Sequence, residues 1–242
     1  MAALAVLAGC GPKAPPKLPP PLPPKIVIPP RPYPPMGAAP NLATPPMGID
    51  GVRRTVNYGL TDAQRVWNLR SAYNVAALNC QKPEHAGILE GYKEFLKKNA
   101  KALTKVNKTI DEEFKAKGGT TYVRVREAYM TQVYNYFALP PTLPSFCDAV
   151  LAMANQSRVI APTDLNAFAL TGLTQIDAVF LSFFNSYDQY RADAAAWDAR
   201  YAPPPPAITA PAPLAATSPA PAAVTAAPLA VPAASSGQSM AQ

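Results

Sequence analysis

Histidine and cysteine are scarce in this chain, which has one histidine, His85, and three cysteines among 242 residues. A structural zinc site needs four closely spaced Cys or His ligands, so the usual zinc site is excluded. The sequence also lacks a Gly-x-Ser-x-Gly elbow, a His-Glu-x-x-His pair and a phosphate-cradling glycine loop. We therefore expect no catalytic, metal-binding or cofactor-binding residues of these kinds. His85 follows Glu84 and is expected to be an ordinary surface histidine.

Acidic residues are absent from both ends of the chain. All 15 of them lie between residues 47 and 201, together with 18 of the 22 basic residues, which leaves that segment with a net charge of 18 − 15 = +3. Nucleic-acid binding usually needs basic residues clustered on one folded face, so we expect no nucleic-acid partner. The remaining four cations lie in an N-terminal arm, where they are expected to favour an anionic membrane surface: Lys13, Lys17, Lys25 and Arg31.

Proline divides the chain into three parts. Of the 31 prolines, 16 lie between Pro12 and Pro46 and 10 between Pro203 and Pro232. Since proline lacks the amide donor of a helix, neither run can be helical. The sequence thus predicts one folded domain at residues 47–201, with a Pro-rich arm at 10–46 and an Ala/Pro-rich tail at 202–242. The tail carries no charge and is expected to be disordered.

The N-terminus begins with a short apolar run that ends in Leu7-Ala8-Gly9-Cys10. This tetrad resembles the lipobox of bacterial lipoproteins, although no Lys or Arg precedes the apolar run. The resemblance implies that residues 1–9 are the remnant of a signal peptide and that Cys10 becomes the lipidated first residue. It also implies a membrane-anchored protein of the cell envelope that faces the periplasm. Gly11 follows the cysteine instead of an inner-membrane retention residue such as Asp, which favours the outer membrane.

The N-terminal arm has two interpretations. Polyproline II rises about 3.1 Å per residue, so residues 11–46 would form a spacer of roughly 110 Å. The alternative is that Pro20-Pro21-Leu22-Pro23-Pro24 and Pro29-Pro30-Arg31-Pro32 are ligands of a PxxP-reading domain. We favour the spacer.

Helical spacing of apolar residues begins after Thr61, which forms a capping-box pattern with Gln64. A second helix is predicted to run without interruption from Pro83 to Gly118-Gly119. Further helices are expected at about 122–136 and 143–156. After Pro162 the pattern predicts another start, a break at Gly172 and a long last helix that ends near Arg200. The fold class expected is all-α, a single bundle of five or six helices flanked by disordered Pro-rich arms.

The two other cysteines, Cys80 and Cys147, lie near predicted helix boundaries. In an oxidising compartment two remaining thiols are expected to pair. Independent buried thiols are the alternative.

Charged side chains suggest two kinds of site. The second helix carries a row of lysines that we consider a candidate for binding anionic envelope polymer: Lys93, Lys97, Lys101, Lys105 and Lys108. A solvated helix face is the simpler interpretation of this row.

A glycan-cleaving enzyme would need two facing carboxylates, and the densest acidic group is Asp111, Glu112 and Glu113. We expect a non-enzymatic lipoprotein that binds an envelope polysaccharide or another envelope protein, with a glycan-acting enzyme as the alternative.

Overall fold

The computed structural model describes residues 27–202. The signal-peptide remnant, the lipidation site at Cys10 and the C-terminal tail from Pro203 lie outside these residues, so the predictions made for them are not addressed by the fold.

Six α-helices form a single bundle, which confirms the predicted all-α fold. No strand is present in the described part of the chain, where the only extended pairing is an isolated bridge between Met47 and Arg53. The helices have these bounds: α1 Asp62–Asn79, α2 Gly87–Lys98, α3 Ala100–Gly118, α4 Tyr122–Phe137, α5 Leu143–Ser157 and α6 Leu165–Tyr201.

Local signals set several helix starts. At α1 the Thr61 hydroxyl accepts a hydrogen bond from the Gln64 amide at 3.2 Å, and the Gln64 side chain accepts one from the Thr61 amide at 3.1 Å. The predicted capping box is therefore formed. Single 3-10 turns beginning at Pro83, Pro140 and Pro162 lead towards α2, α5 and α6, where proline suits a first turn that needs no amide donor.

The part of the core that lies between α4, α5 and α6 is rich in aromatic side chains. Tyr136 of α4 stacks on Phe180 of α6 with ring centroids 4.5 Å apart, and Phe137 packs edge-on against the same ring. Phe146 of α5 completes the cluster at 5.6 Å from Phe180. Each fully buried side chain of this size contributes about 1.5–3 kcal/mol relative to an exposed one. The cluster therefore holds α4, α5 and α6 together.

The expected uninterrupted second helix is wrong, because it is divided at Asn99. The Asn99 side chain donates a hydrogen bond of 2.9 Å to the Phe95 carbonyl, and its backbone leaves helical geometry with φ −104° and ψ 11°. A short amide side chain that bonds to the nearby backbone competes with the helical ladder. As a result α2 packs on α1 and α5, whereas α3 packs on α1 and α4.

The expected break at Gly172 is also wrong, since α6 continues through it for 37 residues. A Cβ at this position would lie 3.2 Å from Cγ of Met153 and 3.3 Å from Cδ1 of Leu69. The glycine thus allows α1 and α5 to approach α6 closely. The segment 162–201 is long and apolar enough to cross a membrane, and 44% of its most apolar window is buried within the bundle.

The described end of the Pro-rich arm packs on the bundle, so the expectation of a free spacer extending to residue 46 needs correction. The Tyr187 hydroxyl donates to the carbonyl of Ala39 at 2.6 Å and accepts from the amide of Leu42 at 2.9 Å. Arg191 donates to the Leu42 carbonyl and, at 3.2 Å, to the Thr44 hydroxyl. A proline-rich backbone has carbonyls with no internal partners, and side chains of α6 supply the donors.

Candidate functional site

A tight turn precedes α1 and presents apolar side chains to solvent. We call residues 47–60 the Ile49 loop. The Gly51 amide donates to the Gly48 carbonyl at 3.0 Å, and the Gly48 amide donates to the Val52 carbonyl at 2.8 Å. Gly51 has φ +73°, a left-handed conformation that favours glycine. These bonds fix Ile49 at the tip of the turn, where its side chain is fully exposed.

Asp50 braces the turn. One carboxylate oxygen accepts from the Val52 amide at 3.1 Å, and the other accepts from the Arg54 guanidinium at 2.9 Å. The hydrogen bond from Val52, assisted by Arg54, holds the pKa of Asp50 below its ordinary value. The Arg54 guanidinium also lies 3.8 Å from the ring centroid of Tyr58. The Asp50–Arg54 ion pair is largely exposed and contributes little by itself, so the shape of the turn depends mainly on its backbone hydrogen bonds and on the bond from Val52 to Asp50.

A cleft of about 310 Å³ opens beside the turn, and we call it the loop cleft. Met47, Val52 and Tyr58 are about half exposed at its rim. Leu181 and Asn185 of α6 form part of its opposite wall. Large apolar side chains gathered on a surface loop around a concavity are typical of a protein-binding site.

Arg53 joins the Ile49 loop to α6. Its guanidinium donates to Asp188 at 2.5 Å, to Asn185 at 3.1 Å and to the Pro45 carbonyl at 2.8 Å. It also lies 5.6 Å from the ring centroid of Phe184. Its side chain is only 4% exposed, and its Nε is buried with no hydrogen-bond partner among the described residues. An unpaired buried donor is costly, so the other contacts of Arg53 must offset this unbonded Nε.

A chain of side-chain hydrogen bonds continues from the loop into the bundle, and we call it the polar network. The Tyr129 hydroxyl donates to Asn68 at 2.6 Å, and the Asn68 side-chain amide donates to Asn57 at 2.9 Å. The Asn57 side-chain amide then donates to Asp177 at 2.7 Å, and Tyr136 donates to the same oxygen at 2.5 Å. The polar network thus joins the Ile49 loop to α1, α4 and α6.

Burial controls ionisation in the polar network. Desolvation raises the pKa of Asp177, and the hydrogen bonds donated by Tyr136 and Asn57 oppose part of that rise. Desolvation, reinforced by the Asp177 carboxylate, raises the pKa of Tyr136 far above its ordinary value. Desolvation also raises the pKa of Tyr129 to about 12. Both tyrosines therefore remain protonated donors at neutral pH.

A second cleft of about 230 Å³ lies on the other side of Asn57 and Asp177. Leu60 and Leu173 contribute apolar surface to it, and Arg65 lies at its edge. The two clefts share the Asn57–Asp177 pair as a common wall.

The predicted disulfide between Cys80 and Cys147 is present. The bond joins the C-terminal end of α1 to the N-terminal half of α5, with a Cα–Cα distance of 5.6 Å. Independent buried thiols are therefore excluded in this structure.

The expectation of a surface histidine at position 85 is wrong. His85 is only 4% exposed, and its Nε2 lies 2.8 Å from Asp148, the residue after Cys147. Asp148 is 63 positions away in sequence, so no local pattern around Glu84 and His85 could indicate the pair.

The lysine row remains exposed, but the bend at Asn99 divides it. Lys93 and Lys97 lie on α2, and the other three lie on α3: Lys101, Lys105 and Lys108. Lys93 pairs with Glu90 at 2.9 Å, and Lys108 lies 3.9 Å from Glu112. The row therefore does not follow one straight helix face, and polymer binding stays a prediction.

The acidic group on α3 is divided among different neighbours. Asp111 pairs with Arg126 at 2.6 Å, whereas Glu113 accepts a hydrogen bond from Thr61 at 3.0 Å. These contacts tie α3 to α4 and to the start of α1. Within residues 27–202, no cluster of three or more His, Cys, Asp or Glu side chains suited to a metal ion is found.

The sequence offered only a weak signal for the Ile49 loop. Glycines at positions 48, 51 and 59 indicate turns around apolar residues, a pattern typical of many surface loops. The role of Asp177 depends on contacts with Asn57 and Tyr136, which are distant in the chain.

No protein-family model matches this chain, and comparison with curated proteins and with solved structures finds no similar protein. The helical domain thus matches no named family.

Proposed function

We propose that this chain is a non-enzymatic cell-envelope lipoprotein whose helical domain docks another envelope protein through the Ile49 loop. The observation that carries the proposal is the fully exposed Ile49 on a braced turn beside the loop cleft. A large aliphatic side chain that is exposed on an ordered loop is typical of protein-binding surfaces.

Rigidity of the loop favours specific docking. The Asp50 carboxylate accepts hydrogen bonds from Val52 and Arg54 within the turn. The Arg53 guanidinium joins the loop to Asp188 of α6. Since the loop is already ordered, binding requires little further loss of conformational entropy.

The loop cleft suits an apolar side chain that carries hydrogen-bonding groups. Met47, Val52 and Leu181 offer apolar contacts, whereas Asn185 offers a polar one. A peptide segment with one bulky side chain and an adjacent backbone carbonyl has this chemistry. We propose such a segment of a partner protein as the ligand.

The contacts of the α3 carboxylates favour docking over glycan cleavage. Paired-carboxylate catalysis needs two acids facing each other across a substrate. Asp111 and Glu113 instead bond to Arg126 and Thr61, respectively, and therefore serve to join helices.

Two features support the envelope location. The Leu7-Ala8-Gly9-Cys10 tetrad resembles a lipobox, and Cys10 is the residue that we propose carries the lipid. The Cys80–Cys147 bridge suits an oxidising compartment such as the periplasm. We propose that the domain faces the periplasm from the outer membrane.

Part of the Pro-rich arm packs on the bundle, so the proposed tether is shorter than the whole arm. Residues 27–46 pack on the bundle, so the spacer between Cys10 and the domain consists of residues 11–26. At the polyproline II rise, 16 residues extend roughly 50 Å, about half of the length expected from the sequence. The domain is therefore expected within about that distance of the membrane.

The test of the lipid anchor is separate from the test of docking. Labelling of the chain with a palmitate analogue should be lost in Cys10→Ala, and Cys80→Ala/Cys147→Ala should remain labelled. Unchanged labelling of Cys10→Ala would contradict the anchor.

Docking is tested by chemical crosslinking in intact cells. We compare the unsubstituted chain with Ile49→Ser and with Val159→Ser, which alters an exposed aliphatic residue between α5 and α6. We expect a crosslinked adduct that Ile49→Ser loses and Val159→Ser retains. Identical adducts in all three chains would contradict docking through the Ile49 loop.

A further inference from the structure

The Pro-rich segment 28–32 lies along the C-terminal end of α6. The Trp197 indole donates a hydrogen bond of 2.8 Å to the Pro29 carbonyl. The Arg31 guanidinium donates two bonds to the Asp198 carboxylate, from Nε at 2.8 Å and from Nη2 at 2.7 Å. Tyr201 packs against Trp197 with ring centroids 5.6 Å apart.

These contacts have the chemistry of proline-rich peptide recognition. A polyproline backbone leaves its carbonyls free, and an indole N–H is a donor without acceptor capacity. A neighbouring carboxylate then selects a peptide that carries a cation beside the prolines. The contact with Arg31 lowers the pKa of Asp198, so the carboxylate remains ionised.

The sequence Pro-Pro-cation occurs three times in the arm: Pro15-Pro16-Lys17, Pro23-Pro24-Lys25 and Pro29-Pro30-Arg31. The third copy is seated on α6, whereas the first two lie outside the described residues. Arginine matches a carboxylate with two parallel hydrogen bonds and lysine offers a single point charge, so a copy that carries lysine is expected to bind this surface less tightly.

We propose that the end of α6, formed by Trp197, Asp198 and Tyr201, is a polyproline-binding surface whose second occupant is Pro23-Pro24-Lys25 of the same chain. The side chains of Arg31 and Asp198 are 44% and 43% exposed, and such exposed ion pairs bind weakly. The seated segment can therefore leave. A motif linked to the surface by a few residues is present at high effective concentration and can take its place.

Exchange of the occupant changes the length of the arm. When residues 23–25 occupy the surface in place of 29–31, the stretch between Cys10 and the domain becomes six residues shorter, or about 19 Å at the polyproline II rise. This consequence rests on the proposed lipid anchor. The polyproline-binding surface does not depend on the lipid anchor. Either proposal can therefore be wrong while the other is right.

The test uses the indole N–H signals of the full-length chain in solution. The chain has two tryptophans, and Trp67 is buried in the bundle at 4% exposure, so its signal reports on folding while that of Trp197 reports on the surface. Lys17→Ala/Arg31→Ala retains only Lys25 among the three cations. Lys17→Ala/Lys25→Ala/Arg31→Ala removes all three, so the two variants differ only at position 25.

We expect the variant that retains Lys25 to keep most of the chemical-shift difference between native and denatured Trp197. The triple variant should lose it, with an unchanged Trp67 signal. A synthetic peptide of residues 21–28 should restore the native Trp197 signal of the triple variant, and the same peptide with Lys25→Ala should not. Identical displaced signals in both variants, together with no response to the peptide, would overturn the second occupant. A native signal in the triple variant would overturn recognition of the cation.

Discussion

The hydroxyl group of Tyr136 donates a hydrogen bond of 2.5 Å to Oδ1 of Asp177, and this bond couples the packed core to the Ile49 loop. Tyr136 stacks on Phe180, while Asp177 holds the side chain of Asn57 in the loop. The position of the loop therefore depends on a buried carboxylate, and this dependence has a measurable effect on stability.

Asp177→Asn should change how the free energy of unfolding varies with pH. Burial raises the folded-state pKa of Asp177 above its ordinary value, so the folded state holds this proton more tightly than the unfolded state. Its contribution is largest below the unfolded pKa and declines as pH rises through the folded pKa. We expect Asp177→Asn to gain stability relative to the unsubstituted chain as pH rises above about 4.

Urea denaturation at a series of pH values measures this difference. Asp193→Asn, an exposed substitution on the same helix, is the control and should show no such trend. A difference between Asp177→Asn and the unsubstituted chain that is constant with pH would show that burial does not raise the pKa of this group.

Gly91→Ala should destabilise the domain. A Cβ at Gly91 would overlap the Tyr73 hydroxyl oxygen and lie 3.3 Å from Cβ of Ala154, so the buried Tyr73 side chain or a neighbouring helix must shift. Overpacking of this kind costs about 1–3 kcal/mol in the free energy of unfolding. Gly87→Ala is the matched control on α2, because its Cβ would meet only Leu151 at 3.4 Å. Equal unfolding midpoints for the two variants would contradict the close packing at Gly91.

Cys80→Ser/Cys147→Ser should lower the free energy of unfolding. The bridge closes a loop with a sequence separation of 67, for which the chain-entropy estimate is about 4 kcal/mol. A reducing agent should shift the urea midpoint of the unsubstituted chain to that of the variant and leave the variant unchanged. A variant with the original midpoint would show that the bridge does not stabilise the fold.

The sequence predicted those features of the fold that depend on residues close together in the chain. The Thr61–Gln64 capping box needs only residues three apart, and Pro83, Pro140 and Pro162 each begin a turn that leads into a helix. The bend at Asn99 was missed because its side chain bonds to the backbone while the apolar spacing continues across it. Gly172 looked like a break because glycine disfavours helices, and only its closeness to Met153 explains why it lies within one.

The site depends on contacts that sequence spacing does not show. Arg53 and Asp188 are separated by 135 positions, and Asn57 and Asp177 by 120. The Pro29–Arg31 segment resembles a ligand motif, but its contact with Trp197 of α6 joins residues 168 positions apart. Pairings across such distances are set by the tertiary fold.

Site-specific photo-crosslinking in intact cells tests the central claim most directly. A photo-reactive residue replaces Ile49 in one chain and Val159 in another, because both positions are highly exposed but lie on different loops. We expect one discrete protein adduct from position 49, its loss when Val52→Ser and Met47→Ser are added, and no such adduct from position 159. The same adducts from both positions, or none from position 49, would contradict docking through the Ile49 loop.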